Sequence, residues 1–409
     1  MEIHLADFLK DTPHGREAEA VVRKCVHCGF CLATCPTYQL LGDELDGPRG
    51  RIYLMKQMLE GAPVTEKTRL HLDRCVTCRN CETTCPSGVQ YGKLVDVGRR
   101  LVEERVPRAF SARLFRALLA GFLTRPWLFG LTLRLGQLVR QLLPRFLKSK
   151  VPPREPAGAW PTRVHARSML LLDGCVQPSM FPNINAATAR VLDALGVRLI
   201  VARGAGCCGA IRFHLNDQER AREEMRRNID AWWPHIEAGV EAIVMTASGC
   251  GATVKEYERH LRLDPAYAAK AARVSALTKD ISEVLPAFQQ QLTQQLDGTP
   301  ARRVAWHAPC SLQHWQQLRG EVEALLQAAG LELTPVAEPH LCCGSAGTYS
   351  ILQPELSGAL RDRKLANLEA ARPEVIVSAN VGCMAHLQGG TRTPVRHWIE
   401  LIDAALTRR

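Results

Sequence analysis

Sixteen cysteines in 409 residues fall into two internal repeats, and that arrangement limits the possible folds more than any other property of the chain. The first repeat runs Cys25, Cys28, Cys31, Cys35 and returns 50 residues later as Cys75, Cys78, Cys81, Cys85. The second runs Cys175, Cys207, Cys208, Cys250 and returns as Cys310, Cys342, Cys343, Cys383, at offsets of 135, 135, 135 and 133. Flanking residues repeat as well: residues 191–197 read VLDALGV and residues 325–331 read LLQAAGL. Self-similarity at a fixed offset marks duplicated structural units. No apolar signal region follows Glu2, Asp7 and Lys10, and no window reaches 18 uncharged apolar residues. The expectation is a cytoplasmic chain, where thiols stay reduced and cysteine patterns serve metals before disulfides.

The spacing C-x2-C-x2-C-x3-C-P occurs twice, ending at Cys35-Pro36 and Cys85-Pro86. Short gaps let three thiolates wrap one corner of a compact cluster, and in two-cluster ferredoxins the fourth cysteine serves the other cluster. The expected ligand sets are therefore Cys25, Cys28, Cys31 and Cys85 for the first [4Fe-4S] cluster and Cys75, Cys78, Cys81 and Cys35 for the second. Zinc prefers two ligand pairs with a longer gap between them, so a pair of zinc sites fits this spacing less well. The region resembles the helical two-cluster ferredoxin domain of bacterial respiratory dehydrogenase subunits. That resemblance rests on the two motifs and on residues 47–53 (GPRGRIY) between them. Gly50 to Gly61 reads as a helix, with Ile52, Met55 and Leu59 on one face.

Beyond residue 163 the pattern changes to strands alternating with helices. Strands are expected at Ser168–Leu172, Val197–Ala202 and Ala242–Thr246, with helices at Asn183–Leu195 and Asp217–Ile236. The second copy repeats this with strands at Val304–Trp306, Glu332–Val336 and Val375–Ser378 and helices at Glu321–Ala329 and Glu355–Ala370. Alternation of this kind builds parallel sheets. Each cysteine follows a strand, so four thiols from three loops should meet at the carboxyl ends, where ligand crevices form. The fold class is α+β and multidomain: a helical ferredoxin domain followed by two tandem α/β cysteine-rich domains with parallel sheets. The expected boundaries are 1–98 for the ferredoxin, 99–150 for a basic helical segment and 151–163 for a proline-rich linker, then 164–298 and 299–409 for the two cysteine-rich domains.

These two copies resemble the cysteine-rich CCG domain of heterodisulfide reductase, anaerobic glycerol-3-phosphate dehydrogenase and glycolate or lactate oxidation complexes. The family pattern ends in Cys-x-x-Cys, whereas Ala247 and Asn380 stand at its first position here, leaving four thiolates per site. An iron–sulfur cluster, a zinc ion or a redox thiol pair all suit such a set.

With 46% hydrophobic and 23% charged residues the chain is too apolar for a disordered protein. The net charge of +11 implies an acidic partner, a membrane surface or a nucleic acid. No nucleic-acid motif accompanies it, and no nucleic-acid partner is expected. Residues 99–150 hold 12 basic and two acidic residues. Leu131, Leu135, Leu138, Leu142 and Phe146 fall on one helical face, with Arg134, Gln137, Gln141, Arg145 and Lys148 on the other. This pattern suits an interfacial membrane helix or a helix packed on protein, interrupted at Pro126 and Pro144. Gly204-x-Gly206-x-x-Gly209 matches a dinucleotide fingerprint in form only, because Cys207 and Cys208 occupy its variable positions. His307 and His340 lie close in sequence to cysteines and could tune a site, although core-satisfied histidines are commoner.

The order of these parts, together with residues 9–15 (LKDTPHG) and 28–38 (CGFCLATCPTY), resembles the iron–sulfur subunits of bacterial glycolate oxidases over the whole chain. The resemblance implies an oxidoreductase subunit without catalytic residues of its own. Partner flavin subunits would carry FAD and oxidise glycolate to glyoxylate, and this chain would pass their electrons to quinone or another membrane acceptor. It would sit on the inner face of the cytoplasmic membrane. The same relay in a lactate or glycerol-3-phosphate dehydrogenase complex, or a heterodisulfide-reductase-like thiol enzyme, is the alternative.

Overall fold

The computed structural model describes residues 1–142, 144, 151–296 and 302–407. Two compact units emerge: Met1–Phe115 with Glu338–Lys364, and Arg116–Ala337 with Leu365–Arg409.

The N-terminal part of the first unit is helical throughout. Helix α1 (Pro13–Lys24) starts where Thr12 accepts the Gly15 N–H and Pro13 presets the first turn. It is followed by α2 (Pro48–Leu59), α3 (Glu66–Asp73) and α4 (Tyr91–Arg105). The expected helix between the motifs is α2, beginning two residues earlier because Pro48 supplies its first turn. Val22, Met55, Leu59, Leu94 and Val95 form a core at the crossing of α1, α2 and α4. Gly98 makes that crossing possible, since a Cβ there would lie 2.4 Å from Met55 Sδ.

Two further helices follow, α5 (Phe110–Leu123) and α6 (Pro126–Leu138), bent by 90° where Pro126 opens a new first turn. No single described helix is long and apolar enough to cross a membrane, and only this bent pair passes such a test together. Leu131, Leu135, Leu138 and Leu142 all face outward. Arg145, Phe146 and Lys148 lie outside the described residues.

The second unit carries two all-parallel sheets. In the first, β1 (Arg167–Leu171), α7 (Asn183–Ala194), β2 (Val197–Val201), α8 (Gln218–Glu237), β3 (Ile243–Met245) and β4 (Thr278–Asp280) give the order β2-β1-β3-β4. Arg167 pairs with Val197 and Ile243 with Thr278 in register. The second sheet repeats the order as β6-β5-β7-β8. Its strands are β5 (Arg303–His307), β6 (Glu332–Leu333), β7 (Val375–Ser378) and β8 (Val395–His397), with α9 (Glu321–Ala328) after β5 and α10 (Trp398–Thr407) after β8. β4 and β8 escape the periodicity reading because three residues containing Lys279-Asp280 or Arg396-His397 carry no apolar alternation. β6 is shorter than expected, ending before Pro335, which cannot donate to the ladder.

The two sheets exchange their last helices. α7, from the first repeat, packs on α10 from the second, and Arg190 reaches Asp403 at 2.6 Å. Reciprocally, the helical run after β4 packs on α9. Ser248 N–H donates to the Ala379 carbonyl at 2.9 Å, and His397 meets the Thr246 carbonyl at 2.8 Å. Trp232, Tyr257, Met225 and Ile229 fill the core under the first sheet.

Candidate metal centres

The two ferredoxin-type loops turn alike at matching positions. Backbone φ is positive at His27 and Gly29 in the first loop and at Thr77 and Arg79, 50 positions on, in the second. A left-handed turn at non-glycine residues is disfavoured and recurs where structure must aim functional groups. These turns point the cysteines inward. Cys25, Cys28 and Cys31 line one pocket together with Cys81 and Cys85 from the other motif. Cys35 lies by Cys78 and Cys81 and also near Cys31. Each fourth cysteine therefore has thiols of the other motif beside it.

Burial, and then the neighbouring Cys25, pushes the Cys31 thiol up to about 11. Burial followed by Cys78 and Cys75 pushes Cys81 well above the usual thiol range. Thiols packed this way cannot ionise together without a cation among them, and a coordinating metal deprotonates its thiols outright. All sixteen cysteines are free thiols. Eight soft donors in two groups of four thus fit iron–sulfur clusters.

Side chains that sequence reasoning passed over surround the second set. Arg51 is 1% exposed and donates to Thr37 Oγ1 at 3.1 Å, to the His71 carbonyl at 2.7 Å and to Asp46 at 3.3 Å. Asp46 also meets His71 Nδ1 at 3.1 Å and Arg74 at 2.8 Å. Thr37 Oγ1 lies 3.3 Å from Cys35 Sγ, and the Tyr91 hydroxyl donates to Cys75 Sγ at 3.7 Å. Arg51 belongs to the GPRGRIY segment, so the signal was present as a motif without a role. Gly50 in that segment is obligatory, since a Cβ would stand 2.2 Å from the Glu44 carbonyl oxygen.

In the first CCG-like copy the four cysteines meet at the carboxyl ends of β1, β2 and β3, where the strand order reverses. Cys175, Cys207, Cys208 and Cys250 form a chain of sulfur–sulfur hydrogen bonds in that sequence. The bond with Cys207, reinforced by burial, raises the Cys175 thiol well above its ordinary value. Asn228 and Tyr257 clamp the loop. Asn228 accepts the Gly206 N–H at 2.8 Å and donates to the Cys207 carbonyl at 2.8 Å, while the Tyr257 hydroxyl donates to the Cys208 carbonyl at 2.9 Å. The glycine triplet therefore serves this turn, with the Gly206 N–H spent on Asn228.

In the second copy, Cys310 and Cys383 follow β5 and β7 in one compact unit, whereas Cys342 and Cys343 belong to the other. Asn380, at the position of the missing cysteine, donates to Cys383 Sγ at 3.5 Å. His307 Nδ1 bonds Ser378 Oγ at 3.0 Å. The Cys342 loop is tied to the ferredoxin-type loops: Asn80 donates to the His340 carbonyl at 3.2 Å, and the Tyr349 hydroxyl donates to the Arg74 carbonyl at 3.0 Å. Burial, with Cys75 and Cys342 both close, raises the Tyr349 hydroxyl above its usual range.

Comparison with known proteins agrees with this division. Residues 21–89 match the 4Fe-4S dicluster domain, and residues 169–255 and 304–388 match the cysteine-rich domain. Over 409 residues, and the full length of both chains, the sequence is 52% identical to the glycolate oxidase iron-sulfur subunit of Escherichia coli (strain K12). A probable glycolate oxidase iron-sulfur subunit of Bacillus subtilis (strain 168) is 31% identical over 405 residues, covering 92% of this chain and 90% of that one. Lactate utilization protein A of Geobacillus thermodenitrificans (strain NG80-2) is 26% identical over 238 residues, 56% of this chain and 95% of its own.

Proposed function

The chain belongs to the family of glycolate oxidase iron–sulfur subunits, and from that premise we propose that it carries electrons from flavin-containing partner subunits, which oxidise glycolate to glyoxylate, to a membrane acceptor such as quinone. The observation that carries this reading is the gathering of cysteines from both motifs about one pocket, Cys25, Cys28 and Cys31 with Cys81 and Cys85. Cys25, Cys28, Cys31 and Cys85 would hold one [4Fe-4S] cluster, and Cys75, Cys78, Cys81 and Cys35 the other. When bound, such clusters accept and release single electrons. The chain's own residues fix the two ligand sets side by side and keep water from the buried thiolates of Cys35, Cys75 and Cys81. FAD belongs on the partners, in keeping with the absence of a nucleotide motif in this sequence.

Cys175, Cys207, Cys208 and Cys250 form a further soft donor set suited to a cluster or zinc. The position of Tyr349 beside Cys75 and Cys342 supports a path from the second cluster toward the second cysteine repeat.

Attachment to the inner face of the cytoplasmic membrane is part of the same proposal. Phe110, Trp127, Leu138 and Leu142 are 78%, 69%, 80% and 86% exposed on and just after α5 and α6. Arg113, Arg125 and Arg134 accompany them, a composition suited to an anionic bilayer surface. Replacing Leu131, Leu135 and Leu138 with Ser should release the protein from anionic vesicles with its iron content intact. Retention on the vesicles would place the attachment elsewhere.

The test of function is an anaerobic pull-down of the full chain, followed by flavin analysis and dye reduction with glycolate. Co-purifying flavin with glycolate activity is expected. Activity with lactate or glycerol-3-phosphate alone would keep the relay and change the substrate, and absence of flavin would overturn the assignment.

A further inference from the structure

The two ferredoxin-type cysteine sets are built on one repeat but sit in unlike surroundings. Hydrogen bonds to cluster sulfurs, nearby charge and solvent access set the potential of an iron–sulfur centre. Around Cys75 the sulfur has two donors, the Thr77 N–H at 3.3 Å and the Tyr91 hydroxyl at 3.7 Å. Thr37 Oγ1 lies 3.3 Å from Cys35 Sγ but gives its proton to the Asp46 carbonyl at 2.8 Å. Arg51 donates to that Thr37 oxygen at 3.1 Å, which brings its positive charge close to Cys35 and Cys75. Among the described residues no side chain hydrogen-bonds a sulfur of Cys25, Cys28, Cys31 or Cys85.

The repeat itself shows how the difference arose. At the 50-residue offset, Thr37 corresponds to Ser87 and Arg51 to Leu101, so the cation has a buried leucine as its counterpart.

Charge points the same way. Arg51, Arg74, Arg79 and Arg99 stand around the second set, opposed by Asp46 and Glu82. That leaves an excess of positive charge in a buried region. Near the first set, Arg49 is neutralised by Glu44 at 2.6 Å and Lys24 is exposed and screened. Among the described residues the half-buried Met1 ammonium, bonded to the Cys25 carbonyl, is the one cation left facing it, against the several around the second set. Desolvation works against the second set, where Cys35, Cys75 and Cys81 are buried, whereas in the first set Cys25 alone is buried and Cys28 is exposed. Buried positive charge and direct sulfur bonds act at closer range than that loss of water and outweigh it.

We propose that Arg51 and Tyr91 hold the cluster on Cys75, Cys78, Cys81 and Cys35 at the higher reduction potential of the pair. An electron reaching the first cluster then passes downhill to the second, one centre being oxidised as the other is reduced, with no bond broken and no proton moved. The inference rests on the two-cluster reading given above and adds a direction to it.

The test is an anaerobic potentiometric titration of the full chain followed by electron paramagnetic resonance, with iron and sulfide measured on each sample. Tyr91→Phe removes the hydroxyl that donates to Cys75 and leaves the Arg51 network intact, and Arg51→Gln removes the buried charge. Each should lower the higher midpoint potential and leave the lower one in place. A tenfold change in the reduced-to-oxidised ratio corresponds to about 59 mV for one electron. A shift of the lower midpoint, an equal shift of both, or no shift in either variant would overturn the assignment. Failure of the underlying reading looks different, since the unsubstituted protein would then lack the iron and the paired signals altogether.

Discussion

The two cysteine repeats bring thiols together by opposite means. In the N-terminal repeat local spacing does most of the work: three cysteines within seven residues and a left-handed turn at matching positions gather three donors in one loop, and only the fourth comes from the other motif. In the C-terminal repeat the thiols are up to 75 residues apart, between Cys175 and Cys250, and only the sheet order β2-β1-β3-β4 makes them meet. One set is written in the loop and the other in the topology. The first should therefore survive damage elsewhere in the fold, and the second should depend on residues that never touch a metal.

The largest effect that would break this comparison lies in the loops. Cys85→Ser should cost about four iron per chain, the cluster lost being the one whose other ligands are Cys25, Cys28 and Cys31. Iron, sulfide and spin counting check this, and loss of the centre held by Cys75, Cys78 and Cys81 would refute the crossed sets. Acceptor reduction should fall with it, while flavin-subunit oxidation with an artificial dye continues.

Next comes the buried charge network. Asp46 pairs with both Arg51 and Arg74 inside the fold. Removing one partner of a buried pair costs about 3–5 kcal/mol, so Asp46→Ala should lower the denaturation midpoint strongly. A loss below about 1 kcal/mol would mean that the network behaves as a surface pair.

The topological set has its own weak point in Asn228, which joins the Cys207 loop to α8 and Tyr257. Asn228→Ala leaves buried polar groups unpaired at about 1–3 kcal/mol and should raise the reactivity of Cys207 and Cys208 toward alkylating reagents. The eight N-terminal thiols should be unaffected, and equal labelling of both repeats would contradict the separation drawn here.

The smallest effect near neutral pH concerns His397, fully buried between the repeats. Its Nδ1 accepts from the Ile399 N–H at 3.3 Å, so Nε2 carries the proton given to the Thr246 carbonyl. Burial lowers it from 6.5 to about 3. The unfolded chain binds a proton below pH 6.5 that the folded chain refuses, so stability is full above 6.5 and declines as pH falls toward 3. The slope is at most about 1.4 kcal/mol per pH unit. His397→Gln, which can make both bonds, should remove that part of the slope in paired urea titrations. An unchanged slope would assign the acid sensitivity to other groups.

How much of this was legible follows from the same contrast. Spacing revealed the candidate ferredoxin cysteines, and strand periodicity located β1, β2, β3, β5 and β7 closely, so the meeting of Cys175, Cys207, Cys208 and Cys250 could be expected. β4 and β8 could not, being three-residue polar edge strands. Nor could the packing of α10 on α7 and of the helical run after β4 on α9, which depends on surfaces far apart in sequence. Asn228, Tyr91 and Tyr349 act through contacts spanning from 16 to 275 residues, and no local pattern announces them, whereas Arg51 stands in a motif whose role only its contacts reveal.

The central claim is that the chain relays electrons released by the partners' substrate. The most direct measurement is rapid-freeze electron paramagnetic resonance of the purified anaerobic complex after mixing with glycolate. Cluster signals should grow as the flavin is reoxidised, the higher-potential centre filling first. Flavin that is reduced by glycolate while the clusters of this chain stay oxidised would contradict the relay.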